Sequence, residues 1–370
     1  MKFRVIFLAV ILLLTNNAYS NGAADDNPSN LQELSDKLVK ESNAPGLVLL
    51  VRDPDGTLEI AASGIADLAK KTPMKKDSQF FIGSISKNLV AVIILLLQEQ
   101  GVLSLNDPLS EYVDWPQGEK VKIRMLLNHT SGILDYLSEG IYAQPKEKII
   151  EFFSKERSQA EAIEAVKSMG FRFDPGSKQE YSNTNGILAG MVVVKATGKP
   201  LGDVLNERIF KPLKMEHSYL YGVKTRNYPH VRGYRPPDIW EAPVFDGLVD
   251  CTHADENLVD AADGSIVSNA QDLLKYHQAL REGRILSKES WEKMTRQEPG
   301  LENGLGYIIV ETPFGKIEGM NGRMHGYSAG MIYHVDSGTH FIALSNCGSG
   351  IGGLQQLMKW KLEKPERKSD

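Results

Sequence analysis

The chain reads as strand at both ends and as helix between them, and that order narrows the folds open to it more than any other feature. Near the start, "GLVLLVRDPDGTLEIAASG" (46–64) places two apolar runs around Asp-Pro-Asp-Gly, the pattern of a β-hairpin. From Gly304 onward "LGYIIVET", "GKIEGMNG" and "AGMIYHVDSGTHFIALSN" repeat it, with Asp336-Ser337-Gly338 as a turn. Helical spacing takes over between, as in "AEAIEAVKSM" and "NGILAGMVVVKATG", the latter stopped at Gly198-Lys199-Pro200. An antiparallel sheet built from both chain ends, with a mainly helical subdomain of about 103–260 inserted, is an α+β layout. Amphipathic helices are predicted at Leu31–Glu41 and in the closing "GGLQQLMKWKLEK", and flank that sheet. A single domain is predicted over 21–362, with a charged, frayed tail at 363–370.

Compartment and partners are constrained next. Lys2 and Arg4, the apolar Val5–Leu14, and Ala18-Tyr19-Ser20 predict a cleaved secretory signal over residues 1–20. Ten apolar residues fall short of the roughly 20 that a bilayer span needs. The mature chain is therefore expected to be periplasmic or secreted, without a stable membrane span. The formal charge is −5, and no block of Lys or Arg is long enough to track a phosphate backbone, which argues against nucleic acid. The eight His show no metal-ligand spacing, so neither metal nor cofactor is expected. An oxidising compartment would permit Cys251 and Cys347 to bridge, but the sequence does not bring them within the ~6 Å a disulfide requires.

"GSISKNLVAVIILLL" (83–97) carries the chemistry. Lys87 and the short uninterrupted run Leu89–Leu97 exclude a membrane segment and predict a buried helix ending at Gly101. With Ser84 in its first turn, Lys87 lies three residues on and projects from the same side. A serine hydroxyl becomes a useful nucleophile when a base takes its proton, and a lysine serves only when burial disfavours its charge. The helix N-terminus adds N–H groups aimed at a developing oxyanion.

Two rivals share the residue types. Ser290 and Lys293 also fit S-x-x-K, but "LSKESWEKMTR" predicts a surface helix capped by Ser287. Gly326-Tyr327-Ser328-Ala329-Gly330 fits G-x-S-x-G, with Asp336 and His340 following in α/β-hydrolase order. That elbow demands a helix after the serine, whereas "MIYHVDSGTHFIAL" predicts a hairpin.

Taken in order, "TPMKKDSQFFIGSISK", "LSLNDPLSEYVDWP", "KIRMLLNHTSGILDY", "FDPGSKQEYSNTNGILAGMVV" and "AADGSIVSNAQDLLKY" resemble the penicillin-recognising serine hydrolases: class C β-lactamases, DD-carboxypeptidases and related esterases. The resemblance implies a β-lactamase/transpeptidase-like fold with Ser84 as nucleophile and Lys87 as general base. It also implies a second motif at Tyr181-Ser182-Asn183, where Tyr181 relays protons and Asn183 holds Lys87 or the substrate. In the last segment the family reads small-small-Gly-Gly before a helix capped by Ser. His129, in "NHTSG", falls in a segment that is a structural turn there.

The third motif, Lys/His-x-Gly on an inner strand, is where this chain departs. It falls on Met320-Asn321-Gly322 or on Met324-His325-Gly326, and either way methionine takes the cationic place. Gly322, Arg323 and His325 remain candidates for substrate binding, Arg323 through its backbone N–H and His325 by a one-residue slip. The aromatics Tyr136, Tyr142, Tyr221, Tyr234, Trp240 and Phe245 are each expected to serve packing. The implied activity is hydrolysis of D-alanyl peptides or β-lactam-like amides through an acyl-enzyme. The alternatives are a carboxylesterase and an inactive relative that binds peptidoglycan or partners.

Overall fold

The computed structural model describes residues 28–42, 44–222, 224–235, 249–297, 301, 304–348 and 352–363. The predicted secretory signal, Trp240, Phe245 and the tail from 364 lie outside them. The main sheet contains β1 (Gly46–Arg52), β2 (Leu58–Asp67), β3 (Thr72–Pro73), β4 (Ile308–Thr312), β5 (Gly315–Arg323), β6 (Ser328–His334) and β7 (Thr339–Ser345). Their spatial order is β4-β5-β6-β7-β1-β2-β3, antiparallel throughout. β1 pairs with β7, Leu47 opposite Ser345 and Arg52 opposite His340, so the two ends of the chain meet inside one sheet.

Five helices matter here: α1 (Leu31–Glu41), α2 (Ile85–Glu99), α3 (Asn183–Thr197), α4 (Ala270–Arg281) and α5 (Gly352–Leu362). β1 is apolar without interruption because both of its faces are covered. Leu47, Leu49 and Val51 join Leu34 and Leu38 of α1 and Leu357 of α5 in one core, while Val48 and Leu50 join the larger core on the other side. Period two thus divides one strand between two layers. α1 starts where Asn30 accepts from Glu33 N, satisfying one N–H that the first turn leaves open, while the Glu33 carboxylate reaches back to accept from Ser29 N at 2.7 Å ahead of the helix.

α2 belongs to the larger core and is buried continuously from Ile85 to Leu95. A helix covered all round needs no polar face, which is why its sequence resembles a membrane segment. No helix among the described residues is long and apolar enough to cross a membrane. Gly101, at φ +67°, turns the chain away after its last residues. Between α2 and α4 the chain is mainly short helices, including Ile123–Leu127, Lys146–Phe153, Gln159–Lys167 and Leu201–Leu205.

The start of α4 departs from the expected serine cap. Asn269 caps it by accepting from Asp272 N, while Ser268 ends the strand Ile266–Ser268 and its hydroxyl is 2.8 Å from that of Ser218. Cys251 and Cys347 are both buried, and no disulfide joins them. Cys251 N donates to Gly233 O, and Tyr234 pairs with Cys347, so the Gly233–Tyr234 segment runs between them. Two strand spacings, about 9–10 Å, exceed the ~7 Å limit for a disulfide.

Candidate active site

Gly83, at φ +53°, delivers the chain to Ser84 at the head of α2. Ile82 N, donating to Ile266 O, anchors that approach to a neighbouring strand. One turn on, Lys87 places Nζ 3.1 Å from Ser84 Oγ. The rest of the amine is held as well: Nζ donates to Asn183 Oδ1 at 2.9 Å and to the Asp263 backbone carbonyl at 2.6 Å. Lys87 is 8% exposed, so its charge, when present, has little water to solvate it.

The second group of residues arrives from the head of α3. Tyr181 OH is 2.6 Å from Ser84 Oγ, and the Lys87 amine lies 5.2 Å from the centre of the Tyr181 ring. Asn183, the first residue of α3, is fixed by its N–H donating to Asp135 Oδ1 at 2.6 Å. Burial pushes the Asp135 carboxyl up, against the N–H groups of Ser138 and Asn183 that favour its charge. His129 sits behind Tyr181 with ring centroids 4.4 Å apart. Its Nδ1 accepts from Ser182 N at 3.3 Å and lies 3.2 Å from the Asn185 amide. Burial first, then the Lys87 charge, hold this imidazole down at about 3, so it packs as a neutral ring.

The end of β5 forms the third side. A Cβ on Gly322 would lie 2.0 Å from Ile82 O and 2.7 Å from Ser84 N, so only glycine lets this strand approach the serine backbone. Of the two placements of the third motif, Met320-Asn321-Gly322 is the one against Ser84; Gly326 packs on Gly233 and Tyr234 instead. Met324 N donates to Tyr327 O, and in an antiparallel ladder the next pair, Arg323–Ser328, is the non-bonded kind. The Arg323 N–H therefore points away from β6, toward Gly83, where a Cβ would stand 2.6 Å from it. The backbone nitrogens of Ser84 and Arg323 thus belong to two segments in close contact, Ser84 N against Gly322 and Arg323 N against Gly83.

Met320 is buried and lines an apolar cavity of about 30 Å³ together with Lys87, Tyr181, Leu126, Tyr307 and Ile308. His325 is engaged elsewhere, with Nε2 3.0 Å from Tyr142 OH and Nδ1 2.7 Å from Asp255 Oδ1. Asp255 also accepts from the His325 and Gly326 N–H groups, which ties the loop after β5 to the helix Thr252–Glu256.

Neither rival serine has such surroundings. Ser290 lies in the helix Lys288–Thr295, which Ser287 caps, and Lys293 pairs with Glu289 at 2.7 Å. Ser328 is the first residue of β6, followed by strand rather than helix. Among the described residues no group of three or more His, Cys, Asp or Glu is placed to hold a metal ion.

Sequence reasoning gave Tyr136 a packing role and did not single out Asp135 or Asp263, which stand close to the Lys87 site through Asn183 and the Asp263 carbonyl. Tyr136 OH donates to Asp263 Oδ2 at 3.0 Å. The one available signal was Asp263 itself, an acid in "AADGS", where the resembling segments read glycine.

In sequence and in fold the chain is similar to known proteins. The chain is 28% identical over 336 residues to penicillin-binding protein 4* of Bacillus subtilis, covering 85% of this chain and 71% of that one. It is 30% identical over 194 residues to the esterase EstB of Burkholderia gladioli, covering 50% of this chain and 49% of that one. The D-amino acid amidase from Ochrobactrum anthropi, solved with L-phenylalanine amide, superposes with a TM-score of 0.75 at 27% identity, covering 89% of this chain and 97% of that one. With the beta-lactamase family model matching residues 31–356, across both sheet halves and the helices between, the chain belongs to that family of serine hydrolases.

Proposed function

We propose that the protein is an exported serine hydrolase that cleaves amide bonds of D-amino-acid derivatives through an acyl-enzyme on Ser84. The observation that carries this is the hydroxyl of Ser84 lying 2.6 Å from Tyr181 OH and 3.1 Å from Lys87 Nζ. Ser84 Oγ attacks the carbonyl carbon as its proton passes to Lys87, and the carbonyl oxygen takes up charge facing the Ser84 and Arg323 N–H groups. Tyr181 returns the proton to the departing nitrogen, which leaves as an amine. Water then attacks the acyl-enzyme, loses a proton to the same pair, and releases the acid and Ser84.

The leaving-group side favours a neutral partner. Met320, buried, takes the place of a cation, so a carboxylate there would lack the partner that a cation at this position supplies. D-Amino-acid amides, the chemistry named for the Ochrobactrum amidase, suit this better than D-alanyl peptides or β-lactams, which carry a carboxylate. The same feature supports a second reading, a carboxylesterase, since an ester also leaves as a neutral group and EstB is a relative.

The test is a panel of D-phenylalanine amide, its L-enantiomer, a p-nitrophenyl ester, a D-Ala-D-Ala peptide and a cephalosporin. Intact mass is read alongside turnover. Preference for the D-amide, with an adduct that Ser84→Ala abolishes, supports the first reading; preference for the ester supports the second. Absence of any adduct from any donor leaves an inactive binding relative and sinks both.

A further inference from the structure

Behind Lys87 lies a buried acid to which the mechanism above assigns no work. Asp263 is 6% exposed. Its Oδ2 accepts from Tyr136 OH, and its Oδ1 is buried with no hydrogen-bond partner among the described residues. The side chain lies beside Lys87: a Cβ on Gly186 would stand 2.9 Å from Asp263 Cβ and 3.0 Å from Lys87 Cε, so both converge on one point of α3. The Asp263 backbone carbonyl accepts directly from Nζ. Substitution of acid for glycine here accompanies methionine for cation at Met320, and both changes make the surroundings of the amine more negative.

The ionisable groups facing Asp263 are few. α2 contributes Lys87, and the segment 135–141 contributes Tyr136 and Asp135. α3 presents the uncharged Gly186. Around Lys87 stand Tyr181 and His129, the latter neutral. Lys87 is therefore the cation in this group, and a buried carboxylate without a cation is costly. Burial pushes the Asp263 carboxyl up, while the Lys87 charge and the Tyr136 hydroxyl favour its ionised form. The Lys87 charge and the Asp263 carboxylate therefore favour one another.

We propose that Asp263 is a positioning residue acting through Lys87: its carboxylate retains the amine's proton, and so sets the acid limb of activity at a higher pH than the Ser84-Lys87-Tyr181 cluster alone would. The proposal rests on Lys87 being the base, as proposed above. It gives the protein a built-in dependence on alkalinity, because only the deprotonated amine can accept the Ser84 proton.

The test measures the pH profile of Ser84 acylation by an activated ester in wild type, Asp263→Asn and Asp263→Gly. An opposite charge within about 4–6 Å moves a titration by about one to three pH units. Removing it moves the acid midpoint down by at least about one unit, giving roughly tenfold faster acylation on the acid side. A midpoint does not depend on how much enzyme is active, so partial misfolding of one variant leaves the reading intact. A merely structural role lowers the rate without moving the midpoint, and unchanged midpoints in both variants overturn the proposal. Lys87→Ala separates the two levels: acylation unaffected by that change refutes the base assignment itself, whereas its loss alongside unmoved midpoints refutes only the role of Asp263.

Discussion

Ser84 Oγ and Tyr181 OH stand 2.6 Å apart although 97 residues separate them in the chain. One oxygen belongs to the head of α2 and the other to the residues leading into α3, and Lys87 bridges the two helix heads by its contact with Asn183. Ser84 Oγ therefore has two hydrogen-bond partners, the Tyr181 hydroxyl and the Lys87 amine that donates to it.

Removing these two partners is expected to have unequal effects. Lys87→Ala takes away the proposed base and its amine from the buried site, and the expected loss of kcat/KM is about 10³-fold or more, against about 10²-fold for Tyr181→Phe. Steady-state rates on the best substrate of the panel decide it. A larger loss in Tyr181→Phe would reverse the order of roles.

Methionine at position 320 is expected to set leaving-group preference. Met320→Lys places a cation beside the cavity next to Lys87 and Tyr181. The ratio of kcat/KM for a D-Ala-D-Ala peptide over a D-amino amide should rise about tenfold, equal to about 1.4 kcal/mol of transition-state preference. An unmoved ratio means the carboxylate is read elsewhere.

Gly322→Ala tests the close approach of β5. The added methyl would meet Ile82 O at 2.0 Å and Ser84 N at 2.7 Å, so the strand must withdraw. Withdrawal takes the Arg323 N–H from the carbonyl oxygen, and loss of one such donor lowers kcat by about 10²–10³-fold. Kinetics that show only a raised KM would place the damage in binding rather than in charge stabilisation.

Acid should destabilise the fold through its buried imidazoles. Burial, and then the charges of Arg281 and Arg52, hold the His340 ring down at about 3 from an ordinary 6.5. Between those values the unfolded chain binds a proton that the native protein refuses, so stability falls as pH drops, by up to about 1.4 kcal/mol per pH unit. His340→Phe should flatten that slope. Urea unfolding at pH 7, 5 and 4 measures it, and identical slopes would refute the assignment.

Both thiols should remain reduced. Alkylation of protein unfolded without reductant is expected to label Cys251 and Cys347 alike, seen as two mass increments. A mass that shifts only after reduction would show a bridge and demand that the Gly233–Tyr234 segment move aside.

How much was legible beforehand follows from the range of each interaction. The bounds of α1, the hairpin of β1 and β2, and the burial of α2 were readable because caps, turns and apolar period act over a few residues. The pairing of Ser84 with Lys87 was readable for the same reason, since three residues on a helix restore the same face. His325 was harder: its histidine chemistry suggested a substitute cation, whereas Asp255 and Tyr142, 70 and 183 residues distant, are the groups that hold it.

The sequence alone determined which side chains could do chemistry and which segments would be strand or helix, because those depend on covalent structure and near neighbours. Tertiary structure alone decided which motif register lies against Ser84, that a strand separates the cysteines, and that the carboxyl of Asp263 is buried beside Lys87, 176 residues earlier. Those outcomes depend on how two layers close over a shared core, and no local pattern records the distance between residues that meet only when it closes.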